Sequence, residues 1–425
     1  MKVFKFGGAS VKDAEAVKNV ASILHLFEGE QLAVVISAMG KTTNAMEAIV
    51  NAFWERDREM FTTLVEERRS FHMEIMDLLF ENRELPIYTD INTIFNTLII
   101  HFDSVISENF DFEYDQIVSL GEVISTKIVA AYVNLISGSC RWMDARTLIT
   151  TDRKFREAEV DWKLTEAHFQ ERFLPKFSDN NVLITQGFIG SNDNSTTTLG
   201  REGSDFTAGI IAYCCNAESV TIWKDVPGML NADPKWFDNT VKLDQISFRE
   251  AIELSYYGAS VIHPKTVKPL QNKNIPLHVK SFVNPDEEGT VIQESMRHDH
   301  LVPSFIFKMN QVLFSFTPKD FSFIVEENLS DIFNRLSQVN AKINLMQNSA
   351  LSFSILVDAE KVDISQILAA FGDLYQVKFN EDLELVTIRH YDQATIDRVT
   401  VDKEVILQQK TRETARLIVK ERIVI

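Results

Sequence analysis

The chain has 425 residues, which exceeds the size at which one hydrophobic core usually stops growing, so two or more domains are expected. Basic residues number 43 and acidic residues 61, and the resulting net charge of −18 argues against a nucleic-acid or anionic-membrane surface. A sparse set of three cysteines, apolar runs too short to cross a bilayer, and an N-terminus without a secretory signal together predict a cytoplasmic protein.

The N-terminal segment is predicted to run from a strand through a glycine turn into a helix. Residues 3–6 are strand-like, Gly7 and Gly8 interrupt them, and apolar residues then recur at helical spacing. Two glycines let the backbone approach a phosphate closely, and Lys5 places a positive charge at the same end of the strand. This turn is therefore a candidate phosphate site, with a tight turn beside a surface lysine as the plain alternative.

Up to residue 283 the pattern alternates helices with short buried strands. Residues 32–36 form an apolar run typical of a parallel strand, and residues 44–135 are predicted to be largely helical. Further strands are predicted at 182–185, 219–223 and 275–279. This order predicts an α/β fold in residues 1–283, a three-layer sandwich around a mainly parallel sheet.

The stretch TTTLGREGSD, at residues 196–205, carries the densest set of anion-binding groups. Arg201 offers a planar fork suited to a carboxylate, and Ser204 and Asp205 are predicted to cap the apolar helix that follows. Glu122 is predicted to lie where another apolar helix opens, because a carboxylate there favours the helix dipole. The histidines show no metal-ligand spacing, so any metal is expected to be Mg²⁺ carried on phosphates.

Beyond residue 283 the pattern changes. Residues 284–304 are polar and turn-rich, which predicts a linker. Alternating short strands and two helices over residues 305–382 predict a small ferredoxin-like domain of βαββαβ order. Residues 383–425 predict a shortened second copy that ends in a hairpin.

Eight motifs stand out in chain order. They are KFGGAS at 5–10, VVISAMGKTTN at 34–44, SLGEVIS at 119–125, WMDAR at 142–146, QGFIGS at 186–191, TTTLGREGSDFTA at 196–208, DVPGMLNADPK at 225–235 and YGASVIHPKT at 257–266. In this order and spacing they resemble the aspartate kinase branch of the amino acid kinase family, and the tail is similar to the paired ACT regulatory domains of these enzymes. The resemblance implies transfer of the ATP γ-phosphoryl group to the side-chain carboxylate of L-aspartate. The product would be 4-phospho-L-aspartate, the first step towards lysine, threonine and methionine.

The resemblance also implies a role for each site residue. Catalysis would rest on Lys5, Gly8 and Asp205. The aspartate pocket would be formed by Ser37, Thr43, Glu122, Phe188, Arg201 and Ser204. ATP would be bound by Lys5, Gly7, Gly8, Lys224, Asp225 and Lys235. An amino-acid effector would contact Asn344, Gln347, Asn348 and Ser349. Within the pocket, Glu122 would take the substrate ammonium and Arg201 its carboxylates. The implied assembly is a homodimer or a higher homo-oligomer.

Several positions depart from the family pattern. They are Ala9, Glu202, Leu230 and Ser260. Glu202 replaces a glycine beside the carboxylate clamp, and Ser260 removes an expected phosphate contact for which Lys265 is a candidate substitute. Asn344 stands where lysine-inhibited relatives carry Asp, so weak lysine inhibition at best is expected, with a smaller neutral amino acid such as threonine as the better effector. The shortened second copy leaves open an apolar effector or none.

Two other functions are left open. One is a related kinase acting on another carboxylate, such as acetylglutamate or glutamate, and Glu122, Arg201 and the ACT tail argue against it. The other is a catalytically weak amino-acid sensor, which the departures above favour and the retention of Lys5 and Asp205 disfavours. Because no homoserine dehydrogenase segment follows residue 425, a monofunctional enzyme is expected.

Overall fold

The computed structural model describes residues 1–104, 107–193, 195–259 and 262–422. The chain divides into two compact units. The first comprises Met1–Met229, Lys242–Ser255 and Ser260–Asp299, and the second comprises Leu230–Val241, Tyr256–Ala259 and His300–Ile425. The second unit therefore takes two short segments from within the predicted catalytic region.

An eight-stranded, mainly parallel sheet forms the centre of the first unit. The strands of this unit are β1 (Lys2–Phe6), β2 (Leu32–Ile36), β3 (Cys140–Met143), β4 (Val182–Gln186), β5 (Ile189–Asn192), β6 (Ser195–Thr198), β7 (Ser219–Lys224), β8 (Gln245–Ser247), β9 (Leu277–Ser281) and β10 (Thr290–Gln293). The sheet order is β3-β4-β2-β1-β7-β9-β10-β8, and among the described strands only the β9–β10 pair in it is antiparallel. Strands β5 and β6 form a separate hairpin.

Helices cover this sheet. They are α1 (Ala14–His25), α2 (Thr42–Trp54), α3 (Arg58–Leu79), α4 (Pro86–His101), α5 (Phe110–Ser137), α6 (Trp162–His168), α7 (Gly203–Cys215), α8 (Phe248–Tyr257) and α9 (Pro264–Lys273). Phe4 and Phe6 of β1 belong to the same hydrophobic core as α1–α5. Since side chains alternate along a strand, Lys5 points to the opposite face, against which α7 packs. The predicted α/β fold is thus confirmed.

Helix α5 runs through the core of this unit. It begins after Asn109, whose side chain accepts from the backbone N–H groups of Asp111 and Phe112, and it ends at Gly138 in the left-handed conformation. Its length and composition would allow it to cross a membrane, but 72% of its most apolar stretch is buried within the protein. Glu122 lies in the middle of this helix, so the prediction that it opens a helix is wrong. The helix starts well upstream because Asn109 supplies the cap.

His72, on α3, is completely buried. Its Nδ1 atom lies 2.8 Å from the carbonyl oxygen of Arg68, and its ring centroid lies 5.1 Å from that of Phe71 and 5.9 Å from that of Phe95. Burial lowers the pKa of His72 to about 4. The imidazole is therefore neutral in the folded protein at pH values where the unfolded chain already takes up a proton.

Acidification is expected to destabilise the protein through His72. Because the folded pKa lies below the unfolded value of about 6.5, the unfolding free energy falls as the pH drops from 6.5 towards 4, by about 1.4 kcal/mol per pH unit. Urea unfolding at about pH 7.5 and about pH 5.5 gives the unfolding free energy at each pH, and His72→Leu should lose less of it on acidification than the wild type does. His25→Asn, at an exposed histidine, should lose as much as the wild type. A wild-type loss in His72→Leu would contradict this assignment.

The second unit is built on a six-stranded antiparallel sheet. Its elements are β11 (Ser304–Pro318), α10 (Glu326–Gln338), β12 (Ile343–Asn348), β13 (Phe353–Asp358), α11 (Ile364–Phe371), β14 (Tyr375–Arg389), α12 (Gln393–Val399), β15 (Lys403–Lys410) and β16 (Thr414–Glu421). The sheet order is β12-β13-β11-β14-β16-β15. The succession from β11 to β14 is the predicted βαββαβ order, and β15 and β16 form the predicted hairpin.

Two features differ from the sequence-based domain division. Residues 284–304, predicted as a linker, contain β10, whose alternately buried residues join the sheet of the first unit. The strand was not predicted because it has only four residues and polar turns flank it on both sides. The two ferredoxin-like halves also share the long strands β11 and β14, so no chain boundary near residue 383 separates them.

Candidate functional site

A cavity of about 860 Å³ opens in the first unit, at the carboxyl ends of its parallel strands. Nine residues assigned to the site from the sequence line this cavity: Lys5, Ser37, Thr43, Glu122, Phe188, Arg201, Ser204, Asp205 and Lys224. They come from β1, β7, α2, α5, α7 and the turns that follow β2, β4 and β6. This edge of an open α/β sheet is where ligands generally bind.

Asp205 lies between two lysines at the cavity wall. Its Oδ1 atom is 2.6 Å from Nζ of Lys5, and its Oδ2 atom is 3.8 Å from Nζ of Lys224. The contact with Lys5 is a charge pair without hydrogen-bond alignment, and both side chains are almost fully buried. Asp205 therefore holds two ammonium groups beside the cavity, where they attract anions.

Gly7 and Gly8 follow β1 directly. A Cβ atom on Gly8 would lie 2.7 Å from the carbonyl oxygen of Ala38 and 2.9 Å from that of Gly40. The N–H of Gly40 donates to the carbonyl of Gly8 at 2.9 Å. A Cβ atom on Gly7 would lie 3.3 Å from Nζ of Lys5. Gly8 thus allows the turns after β1 and β2 to pack closely. Gly7 leaves room for the ammonium of Lys5 beside the backbone, because it has no side chain.

Glu122 presents an unpaired carboxylate oxygen inside the protein. It lines the cavity and is only 4% exposed. Burial raises the pKa of Glu122 to about 8, although the Ala38 backbone N–H and the charge of Lys5 lower it. Its Oε2 atom has no hydrogen-bond partner among the described residues. A buried acceptor without a donor is costly, so this oxygen is suited to an N–H donor or a cation of a ligand.

Helix α7 begins at the cavity wall, at Gly203. Ser204 and Asp205 therefore lie in its first turn, and the prediction that they cap the helix is wrong, because the residue before the helix is Glu202, two positions before Ser204. A Cβ atom on Gly187 would lie 2.4 Å from Cβ of Ser204, and one on Gly203 would lie 2.6 Å from Cδ2 of Phe188. The two glycines let the turn after β4 pack tightly against α7, which fixes Phe188 and Ser204 at the cavity.

Glu202 occupies the position before α7 with φ 53° and ψ 29°. This left-handed conformation disfavours residues with a Cβ atom, which explains why a glycine is expected there. The Oε2 atom of Glu202 is buried and has no hydrogen-bond partner among the described residues. Arg201, its neighbour, is exposed at the cavity edge. The departure from glycine therefore adds both backbone strain and a carboxylate beside the predicted clamp.

Asp115 shapes the same cavity and was missed in the sequence. It lies two turns before Glu122 on α5 and is fully buried. It accepts from the backbone N–H of Thr198 (2.8 Å), the Thr198 hydroxyl (2.7 Å) and the backbone N–H of Arg156 (3.0 Å). Burial raises the pKa of Asp115 to about 6 in spite of these bonds. Arg156 is thereby held over the ring of Tyr114, at 4.3 Å, where both line the cavity. The seven-residue spacing of two carboxylates in an apolar helix was the available signal.

Some predicted nucleotide positions lie elsewhere. Asp225 is exposed after β7 and is not part of the cavity lining. Lys235 is exposed and belongs, like Leu230, to the second unit. Lys265 does not line the cavity but an adjoining cleft of about 710 Å³, so its suggested role as a substitute gains no support. Ser260 lies outside the described residues.

The predicted effector residues lie in the second unit, on β12 and the turn after it. Gln347, Asn348 and Ser349 are exposed, whereas Asn344 is partly buried. The turn is closed by Ser349, whose backbone N–H donates to the carbonyl of Ser352 at 2.8 Å. An exposed, ordered turn at a sheet edge is accessible to a small ligand.

Comparison with known proteins gives a consistent set of relatives. Residues 1–281 match the amino acid kinase family. The lysine-sensitive aspartokinase 3 of Escherichia coli is 29% identical over 397 residues, which cover 91% of this chain and 86% of that protein. The chloroplastic aspartokinase 3 of Arabidopsis thaliana is 31% identical over 407 residues, which cover 91% of this chain and 69% of that protein.

Solved structures of aspartokinase III from E. coli are similar over 99% of this chain and 96% of theirs. The T-state complex with lysine and aspartate gives a TM-score of 0.84 at 26% identity. The R-state complex with aspartate and ADP gives a TM-score of 0.79 at 25% identity. The similarity extends through the catalytic and the C-terminal regions.

Proposed function

Because this chain belongs to the amino acid kinase family, in its aspartokinase branch, we propose that it phosphorylates L-aspartate with ATP. The γ-phosphoryl group is transferred to the side-chain carboxylate, which gives 4-phospho-L-aspartate and ADP. This is the first step of the aspartate pathway towards lysine, threonine and methionine. The proposal places the enzyme in the cytoplasm as a homo-oligomer, and sedimentation of the full chain tests the assembly.

The single observation that carries the proposal is the unpartnered Oε2 atom of Glu122 inside a cavity that also holds Arg201 and Lys5. A free amino acid with a second carboxylate matches these groups. Its ammonium would pair with Glu122, and Arg201 would hold its carboxylates through two parallel hydrogen bonds. An N-acylated substrate has no ammonium to favour ionisation of Glu122, so it would gain nothing from this carboxyl group.

Positioning and charge stabilisation account for the reaction. The aspartate side-chain carboxylate is ionised at neutral pH, so its oxygen attacks the γ-phosphorus without a general base. An O–P bond forms as the bond to the bridging oxygen breaks, and the electron pair leaves with ADP. Lys5 and Lys224, both beside Asp205, are suited to balance the charge on the transferring group.

We infer that ATP brings its own Mg²⁺. The described residues include no group of three or more His, Cys, Asp or Glu side chains that would hold a metal ion. Mg²⁺ commonly binds through substrate phosphates and retains several waters. The bare backbone at Gly7 and Gly8, next to Lys5, fits a phosphate group at close range.

The proposed function is tested by trapping the acyl phosphate as a hydroxamate with ATP and Mg²⁺. Aspartate, glutamate and N-acetylglutamate are offered separately to the full chain. Product from aspartate in clear preference to the other two is expected. Equal product from N-acetylglutamate would exclude the ammonium role of Glu122, and no product from any of them would favour the sensor.

Arg201→Lys is expected to raise the aspartate KM strongly, because an ammonium group cannot reproduce two parallel bonds to a carboxylate. Losing a charge-assisted contact of this kind costs about 2 kcal/mol, or roughly thirtyfold in KM. Steady-state kinetics against aspartate check it, with Arg153→Lys as the control, since Arg153 pairs with Asp193 on the surface. An unchanged KM would place the carboxylate clamp elsewhere.

We further propose that the turn at residues 344–349 binds an amino-acid effector. The E. coli relative is named as lysine-sensitive, and its solved complex contains lysine. In this chain an amide at Asn344 offers a neutral acceptor, which holds an ammonium less strongly than a carboxylate does. A small neutral amino acid such as threonine is therefore the expected effector.

A further inference from the structure

Asn344 takes part in a closed polar network within the second unit. Nζ of Lys308 donates to Oδ1 of Asn344 at 2.8 Å. The Asn344 amide nitrogen donates to Oε1 of Gln311 at 2.8 Å and to Oδ1 of Asp358 at 2.7 Å. The backbone carbonyl of Asn344 accepts from Nη2 of Arg416 at 2.6 Å. Both N–H donors of the amide and its oxygen are therefore used inside the chain.

Irregular strand pairing brings these side chains together. The register of β11 against β14 shifts between Lys308 and Gln311, and the register of β12 against β13 shifts beside Asn344. Asp358, at the end of β13, also accepts from Nε2 of Gln311 at 2.9 Å. The stem of Lys308 is confined, because a Cβ atom on Gly258 would lie 2.8 Å from its Cε atom. The ammonium of Lys308 is thus held in place and not freely mobile.

The charges in this network favour an amide over an acid at position 344. Burial alone would raise the pKa of Asp358, but hydrogen bonds from Gln311, Lys361 and Asn344 outweigh it and lower the pKa to about 2. Asp358 is therefore ionised. An aspartate at 344 would place a carboxylate oxygen about where the amide nitrogen lies, 2.7 Å from Oδ1 of Asp358. Such close like charges repel strongly, so Asn344 and Asp358 fit each other.

We propose that Lys308 supplies from within the chain the ammonium group that a cationic effector would bring to Asn344, so that this effector site excludes lysine. The inference rests on the proposed assignment of residues 344–349 to an effector. A free lysine would have to displace an ammonium that is already bonded and tethered. A neutral amino acid has no side-chain ammonium, so it does not compete with Lys308 for the side-chain oxygen of Asn344.

Isothermal titration of the full-length protein tests the exclusion, with lysine and norleucine as probes. Norleucine is lysine without the ε-ammonium. The wild type is expected to bind lysine weakly or not at all, whereas Lys308→Met should bind it about tenfold more tightly or better, with no gain for norleucine. Adding Asn344→Ala to Lys308→Met should abolish the gain. The matched control is Lys361→Met, which removes another lysine on Asp358 and should behave like the wild type.

Tight lysine binding by the wild type, or the absence of any gain in Lys308→Met, would overturn the proposal. If the melting temperature shows that Lys308→Met does not fold, Lys308→Gln provides the same test. The calorimetric titration measures lysine binding without catalytic turnover, so its result can be interpreted independently of the hydroxamate assay. Failure to phosphorylate aspartate would reject the proposed function, whereas normal phosphorylation without the lysine gain would reject only the role of Lys308.

Discussion

Replacing Lys5 by alanine is expected to lower kcat for aspartate phosphorylation by about a hundredfold or more while leaving the aspartate KM nearly unchanged. Lys5 is almost fully buried, and its ammonium is held 2.6 Å from Asp205 at the wall of the cavity. It therefore contributes most when charge moves onto the transferring phosphoryl group. Steady-state kinetics with saturating ATP separate the loss of kcat from any loss of binding.

Lys2→Ala is the matched control, because Lys2 lies on the same strand but pairs with Glu30 and does not line the cavity. It should retain wild-type kcat. Lys5→Arg is a second comparison, since it keeps the positive charge beside Asp205 but changes the shape of the charged group. Its kcat is expected to lie between those of Lys5→Ala and the wild type. Wild-type turnover in Lys5→Ala would show that the ion pair with Asp205 only supports the fold.

Much of the first unit could be predicted because its signals are local. Strand alternation, two glycines and a following helix determine where Lys5 lies, and all of these occur within one short segment. The motif at 196–205 similarly predicted Arg201, Ser204 and Asp205 as neighbours. The position of Ser204 and Asp205 in the first turn of α7 could not be predicted as well, since Glu202 adopts a left-handed backbone that residue type alone disfavours.

Contacts between distant segments account for what the sequence did not show. Asp115 meets Thr198 across 83 residues, and Asn344 meets Lys308 across 36 residues. Neither pairing leaves a periodic pattern in the chain. The network around Asn344 also depends on two shifts in strand register, which hydrophobic alternation does not specify. The effector prediction named Asn344 but not the ammonium of Lys308, which already donates to its side-chain oxygen.

Glu122→Gln is expected to raise the aspartate KM by roughly a hundredfold at high pH, because a charge-assisted hydrogen bond is lost, and to remove the pH dependence of KM. In the free protein burial raises the pKa of Glu122 to about 8, so at neutral pH most molecules carry a protonated, uncharged carboxyl group. The substrate ammonium needs the ionised form. In the wild type, log KM should therefore fall by about one for each pH unit gained below pH 8 and level off above it. A glutamine has the same shape but cannot ionise, so its KM should stay high and flat.

Glu113→Gln is the matched control, because Glu113 is a buried carboxylate on the same helix that bonds to His101 and does not line the cavity. Its KM should follow the wild-type pH profile. Calorimetry provides a second measurement: aspartate binding at pH 7 should release close to one proton from the wild type, as Glu122 ionises to meet the ammonium, and none from Glu122→Gln. A flat wild-type profile together with no proton release would contradict the pairing of Glu122 with the substrate ammonium. The Oε2 atom of Glu122 would then be expected to accept a hydrogen bond from another donor, such as an ordered water.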